Sequence, residues 1–401
     1  MAPSPKMMQQ NFTLLKYMSA LRFYNVLLPF YVLYGRHIGL DYQQIFLTQA
    51  IFSLTLILLE LPGGIFADIM GRRLSLICGS FCYLVGGSCF VFWQTFSGFS
   101  VAEGILAAGY AFFSGSDSAL LYESAKESNQ LEQYLHQESQ VHAYARFGES
   151  ISGITGGFIA TLNIVLLAIL AALTAIPLII LSFLLKEPIS RVRPDLFKKR
   201  LKCDVKRQGM RIHYFLFNRK NRPIQAIILY SSCLSIISLA SFWLLQVFIN
   251  EYGLSFISIG MIWLFYNLLT GFTSSYTAKI IQFYKEKIYL LLPVFLLLML
   301  LVLSLSSAKW QFIFILFAAL TFGIKMPFIY YLMNQRLSSF ARASVLSIDS
   351  LTTRLLFSGL AILLGYILDH QTIEQAFAIL LVPNFFAFLL GFYLFKYLRF
   401  T

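Results

Sequence analysis

Charge is scarce in this chain. Asp, Glu, Lys and Arg make up 12% of its 401 residues, about half the share carried by an ordinary soluble protein. Hydrophobic residues account for 58%, and mean hydropathy is +0.72. Length alone would allow two or three water-soluble domains; this balance excludes them and points to an all-α polytopic membrane protein. Cysteine is rare as well: five residues, three of them (Cys78, Cys82, Cys89) in one apolar run. That leaves no disulfide framework, and the expectation is buried thiols. The five histidines, His37, His136, His142, His213 and His370, fall mostly in loops or at helix ends, and neither H-E-x-x-H nor G-x-S-x-G occurs. An enzyme is therefore not expected, nor a catalytic residue, a metal site or a cofactor.

Acid is scarcer than base, 18 residues against 31. The excess is concentrated: positions 186 to 222 hold thirteen Lys and Arg against Glu187, Asp195 and Asp204. A basic run between apolar blocks is a cytoplasmic loop drawn to anionic lipid, so nucleic acid is not an expected partner. A cleavable leader is not expected either, because the first apolar run is long, contains Arg22 and is followed by no small-residue cleavage pattern.

What is abundant suits lipid: 40 Phe and 22 Tyr for walls and interfacial belts, and 24 Gly for close helix contacts. Twelve stretches are long enough to span the hydrocarbon core: 12–34, 43–66, 74–94, 99–122, 139–161, 163–185, 224–249, 256–279, 288–306, 310–334, 343–367 and 375–398. The connecting loops sort by charge. Lys6, Lys16, Arg72, Arg73, the 186–222 segment, Lys285, Lys287, Arg336, Arg342, Lys396 and Arg399 lie on one side, which places both termini in the cytoplasm. The organisation is an N-terminal six-helix bundle (1–186), a basic linker (187–222) and a C-terminal six-helix bundle (223–401). Within the linker, Leu196, Phe197, Leu201 and Val205 recur at helical spacing among lysines and Arg200. Two readings fit: an amphipathic helix on the inner leaflet, or a disordered basic linker.

One stretch between two apolar runs is distinctive: E-L-P-G-G-I-F-A-D-I-M-G-R-R, Glu60 to Arg73. Pro62 and the glycine pair would let one helix end and its neighbour approach, Gly71 would make a tight turn, and Arg72 and Arg73 cannot cross lipid. Gly64, Asp68, Gly71, Arg72 and Arg73 resemble the loop between the second and third helices of the major facilitator superfamily. The segment Gly271–Lys287 resembles a worn copy of it in the matching place of the second half. The resemblance implies twelve transmembrane helices in two pseudo-symmetric six-helix bundles, transport by alternating access without covalent chemistry, an inner (cytoplasmic) membrane setting and a monomer. It also implies gating roles for Gly64, Asp68, Gly71, Arg72 and Arg73. Two departures stand out. The Gly-Pro-x-x-Gly-Gly pattern of many antiporters is here S-G-I-T-G-G, Ser152 to Gly157, without the proline. Where many members carry an Arg early in the fourth helix, the nearest position here is Glu103.

Ionisable residues inside spans are expensive and so point to a pathway or a partner. Arg22 shares a face of the first span with Ser19 and Asn25. Lys325 precedes Pro327 in the tenth, and Arg354 lies central in the eleventh. Glu149 in the fifth span sits one turn from Arg146, so a local ion pair competes with a proton-carrying role. Asp117 and Asp349 lie toward cytoplasmic ends and, with Arg146 and Glu60, read as gating partners. The candidate substrate-binding set is thus Arg22, Asn25, Glu149, Lys325 and Arg354. Its surplus of positive charge predicts a carrier of a small organic anion, with a proton or other ion as possible coupling partner. The alternative is a polyspecific drug/proton antiporter exporting lipophilic compounds, anchored on Glu149.

Overall fold

The computed structural model describes residues 5–188, 221–305, 308–337 and 339–398, with a few positions between 207 and 218; every regular element among them is a helix. The first crossing is interrupted. Helix α1 (Pro5–Phe23) gives way at Tyr24, a 3-10 turn follows at Leu28–Phe30, and α2 (Tyr31–His37) completes the span. A continuous helix over 12–34 was expected. The chain breaks because Pro29 has no N–H to give, and because the Asn25 side-chain oxygen takes the N–H groups of Leu27 (3.1 Å) and Leu28 (3.2 Å).

Next come α3 (Tyr42–Met70) and α4 (Arg72–Phe92). The fourth crossing is α5 (Phe96–Phe113) and α6 (Ser116–Glu127), separated at Gly115, whose φ of 74° is left-handed. It is followed by α7 (Tyr134–Leu162) and a sixth crossing made of α8 (Val165–Leu173) and α9 (Ala175–Leu184). The second half comprises α10 (Arg222–Tyr252), α11 (Phe256–Tyr284), α12 (Ile288–Leu305), a 3-10 stretch Lys309–Ile315 leading into α13 (Leu316–Arg336), α14 (Ser339–His370), α15 (Ile373–Ile379) and α16 (Leu381–Tyr397). Together these supply the twelve crossings. Nine stretches among the described residues are long and apolar enough to span a membrane, and one of them, Phe256–Leu305, contains both α11 and α12. The first crossing falls outside this set because α1 carries Lys6, Lys16 and Arg22 and the break at Tyr24 separates it from α2. The fifth does because α7 carries Glu138, His142, Arg146 and Glu149.

Two expectations are corrected. Helix α3 does not end near Pro62 but runs through it to Met70; prolines within membrane helices are tolerated where neighbours satisfy the freed carbonyl. The close approach there belongs to Gly63, where a Cβ would lie 2.9 Å from the Ala111 carbonyl oxygen, whereas Gly64 faces open space. Cys78, Cys82 and Cys89 are half-buried rather than buried; Cys233 is the buried one. The amphipathic pattern at 196–205 lies outside the described residues.

The chain forms two compact units. One comprises Met1–Leu40, Ile51–Val205 and Phe256–Leu264; the other comprises Asp41–Ala50, Lys206–Ser255 and Phe265–Thr401. In the first, α4 packs along α5, α8 and α9, and α1 along α6, α7 and α9, around Phe12, Leu15, Met18, Leu76, Phe113 and Leu120. Backbones touch where side chains are missing: a Cβ on Gly148 would lie 2.2 Å from the Ala20 oxygen, and one on Gly260 would lie 2.3 Å from the Gly153 oxygen. In the second unit α10 is the central post, packed by α13, α14 and α16. Its apolar window is 94% buried, against 33% to 50% in the other candidate spans. The serines of α10 therefore face protein, not lipid. The same unit holds the first turn of α3, where the Asp369 carboxylate accepts the N–H groups of Tyr42 (3.0 Å) and Gln43 (2.7 Å) and so caps the helix.

Candidate functional site

Four clusters gather the intramembrane and gate-region charges, each within one unit. The first is the Glu60–Arg73 stretch. Gly71 adopts a φ of 104°, and a Cβ there would sit 2.9 Å from the Glu187 carboxylate. That carboxylate accepts the backbone N–H groups of Arg72 (2.8 Å) and Arg73 (2.7 Å), so the N-terminus of α4 is capped by a residue just beyond the sixth crossing. The Arg72 guanidinium pairs with Asp68 one turn back and reaches Glu123 of α6 at 3.9 Å. Arg73 donates to the Phe183 carbonyl at 2.7 Å. Glu60 is half-buried on α3.

The second cluster surrounds Arg22, in the last turn of α1, with 8% of its side chain exposed. Its Nη1 lies 3.3 Å from Asp117 in the first turn of α6, a position created by the break at Gly115. The guanidinium also stands 5.0, 4.9 and 4.8 Å from the ring centroids of Phe23, Tyr110 and Phe113. Three faces of π density and one carboxylate together offset the cost of desolvating it. Beside it lies a cavity of ≈ 40 Å³ lined by Arg22, Tyr24, Asn25, Tyr83 and Thr174, among others. That is room for a few waters, not for a drug-sized solute.

The third is local to α7: Arg146 donates to Glu149 at 2.6 Å. The carboxylate is 13% exposed and the guanidinium 50%, so the pair leans toward Arg146's side of the helix surface.

The fourth is assembled by three helices of the second unit. Lys325 sits mid-α13 and is 3% exposed; its Nζ donates to the Ser235 hydroxyl of α10. Asp349 of α14, 8% exposed, accepts from Ser231 (2.9 Å) and Ser232 (3.4 Å) of α10, and Thr353 donates to Ser232 at 3.2 Å. Close packing sets this register. A Cβ on Gly323 would lie 2.0 Å from the Thr273 hydroxyl oxygen and 2.5 Å from the Thr270 carbonyl, so α13 and α11 meet backbone to backbone just before Lys325. Arg354, one residue beyond Thr353, donates to Ser350 at 3.4 Å.

The sequence profile of the Major Facilitator Superfamily matches residues 14–361. The chain belongs to the Major Facilitator Superfamily. It is thus a secondary transporter working by alternating access, not an enzyme, and an integral membrane protein. No protein of curated function matches it in sequence. Among solved structures it is similar to the nucleoside transporter NupG (13% identity, TM-score 0.71, covering 98% of this chain and 100% of that one). It is also similar to a D-xylose-proton symporter (12%, 0.68, 98% and 97%) and to the inward-open xylose transporter XylE from E. coli (11%, 0.69, 98% and 97%). At such identities the likeness is one of fold.

Of the residues singled out from sequence, this superfamily member brings Arg22 to Asp117, Arg146 to Glu149, Arg72 to Asp68, and Lys325 and Asp349 to one serine stripe. Asn25 holds the break in the first crossing with its side-chain oxygen. Sequence reasoning missed Glu123, Glu187, Ser231, Ser232, Ser235 and Thr353. The serines did leave a signal: Ser231, Ser235, Ser238 and Ser241 recur every three or four residues through an apolar run. Glu187 left none, because its partners are backbone groups more than a hundred residues earlier.

Proposed function

We propose that this transporter carries a small organic anion across the cytoplasmic membrane, acting as a monomer with both termini inside and with halves at 1–186 and 223–401 joined by the 187–222 linker. The observation that carries the reading is Lys325. Its ammonium is buried in the middle of a span, yet it donates to a neutral hydroxyl and, among the described residues, lies in no ion pair within 4 Å. Burying such a charge without a direct counter-ion is costly, and an arriving carboxylate offsets that cost. Arg354, on the neighbouring helix, adds positive potential. Arg22, already held by Asp117 and three rings, contributes less as a direct contact and more as a fixed charge beside the break at Asn25.

A second reading has its own support. The stripe of buried hydroxyls on α10 suits a neutral polyol-like solute, the class to which the nucleosides and xylose carried by the similar structures belong. The drug-antiporter reading is weakened by Arg146, which already occupies Glu149 at 2.6 Å.

The deciding experiment is thermal stabilisation of purified protein by a panel of carboxylates, lipophilic cations, nucleosides and pentoses. A ligand at 100 times its dissociation constant adds about 2.7 kcal/mol. Carboxylates are expected to stabilise the wild type and to leave Lys325→Gln unmoved. Stabilisation by nucleosides or pentoses alone selects the neutral-solute reading, and stabilisation by lipophilic cations that is lost in Glu149→Gln selects the antiporter.

A further inference from the structure

The cavity beside Arg22 is walled by polar side chains whose unspent hydrogen-bonding capacity is mostly of one kind. It lies inside the first unit, between the broken first crossing, α4, α5 and the junction of α8 and α9 at Thr174, and its volume is ≈ 40 Å³. Asn25 has committed its side-chain oxygen to the N–H groups of Leu27 and Leu28, so what it has left for the cavity is its NH2. The Arg22 guanidinium is within hydrogen-bonding reach of the Tyr83 hydroxyl. A guanidinium can only donate, so the Tyr83 oxygen accepts and its O–H proton remains to be given. Tyr24 donates to Thr155 at 3.0 Å and Thr174 to the Ala171 carbonyl at 2.8 Å, so those two hydroxyls have already spent their protons. The protons still to be placed belong to Arg22, Asn25 and Tyr83, and the first of these is a cation with 8% of its side chain exposed.

We propose that this cavity binds one halide ion, chloride being the halide a cell supplies, held by the Arg22 guanidinium, the Asn25 NH2 and the Tyr83 O–H. Size sets the class: a space of ≈ 40 Å³ takes a halide or a few waters and excludes an organic solute. Charge favours the anion over water. Asp117 faces the guanidinium from α6, but it does so at 3.3 Å through one nitrogen and is itself 28% exposed, so water shares its charge and Arg22 keeps positive potential on the cavity side. A water molecule there would have two protons of its own to place among three donors. A halide has none, and its contact with the guanidinium is charge-assisted on both sides. The bound ion joins the end of α1, the break at Asn25 and α4, and so pins the interrupted crossing to its neighbour. It is separate from the solute proposed at Lys325, which belongs to the second unit.

The test replaces sodium methanesulfonate, whose anion is larger than a halide, with sodium chloride at constant ionic strength and follows the melting temperature of the purified protein. Chloride is expected to raise it saturably in the wild type. Asn25→Asp keeps the oxygen that holds the break but puts a second carboxylate oxygen where the NH2 was, and Tyr83→Phe removes one O–H; neither variant should respond to chloride. Lys325→Gln should respond as the wild type does. A response that survives in both cavity variants overturns the assignment, and its loss in Lys325→Gln would place the ion at Lys325 instead. No response in the wild type overturns the proposal and leaves the cavity to water. Should both cavity variants fail to fold, wild-type crystals soaked in bromide still decide: an anomalous peak between Arg22, Asn25 and Tyr83 supports the site, and no peak there overturns it.

Discussion

Asn25 shows how one side chain reshapes a span. Its amide oxygen captures two N–H groups that would otherwise continue the helix, leaving Arg22 at a helix terminus rather than in a helix interior. Asn25→Ala is expected to cost about 1 kcal/mol, the worth of a typical side-chain cap, read as a lower melting temperature in detergent. Asn25→Asp, which keeps the acceptor, should preserve most of that stability. Lys325 makes a different residue-scale claim: Lys325→Gln abolishes stabilisation by carboxylates because it removes the buried positive charge, not because it unfolds α13. The same purified variant should therefore keep a cooperative melting transition.

At the scale of elements, the junction of α3 and α4 depends on a residue outside both. Glu187 accepts two of the N–H groups that the start of α4 leaves without helical partners. Glu187→Ala removes both bonds and a favourable charge at a helix N-terminus, an expected loss of about 1–2 kcal/mol. Hydrogen exchange would localise the effect, with faster exchange confined to the first turn of α4 and little change in α10. Gly323 marks a second inter-element dependency. With Thr273 Oγ1 at 2.0 Å from any added Cβ, Gly323→Ala forces α13 away from α11 and should cost about 1–3 kcal/mol as overpacking. Because Lys325 lies half a turn further on, the same change is expected to weaken carboxylate binding.

For the whole molecule, the distribution of charge predicts orientation. On the orientation proposed above, the basic 186–222 segment and the other Lys- and Arg-bearing loops share the cytoplasmic side, so single cysteines placed near each terminus of a cysteine-free variant should resist a membrane-impermeant thiol reagent added to intact cells and react once the cells are opened. Labelling of either terminus in intact cells would reverse the topology proposed here.

Much of this architecture was legible from sequence because its causes are local or additive. Scarce charge and long apolar runs dictate a membrane protein, since lipid offers nothing to unpaired polar groups. Gly64, Asp68, Gly71, Arg72 and Arg73 carried the family. The Arg146–Glu149 pair was readable too, being a matter of one helical turn. What the sequence could not show are pairings made across distance: Arg22 with Asp117, Glu187 with the start of α4, and the serines of α10 with Lys325 and Asp349. Each depends on which helix faces which and in what register. Register is fixed by backbone contacts at Gly63, Gly148, Gly153 and Gly323 that no periodicity records, so only the tertiary structure decided which buried charges share a site.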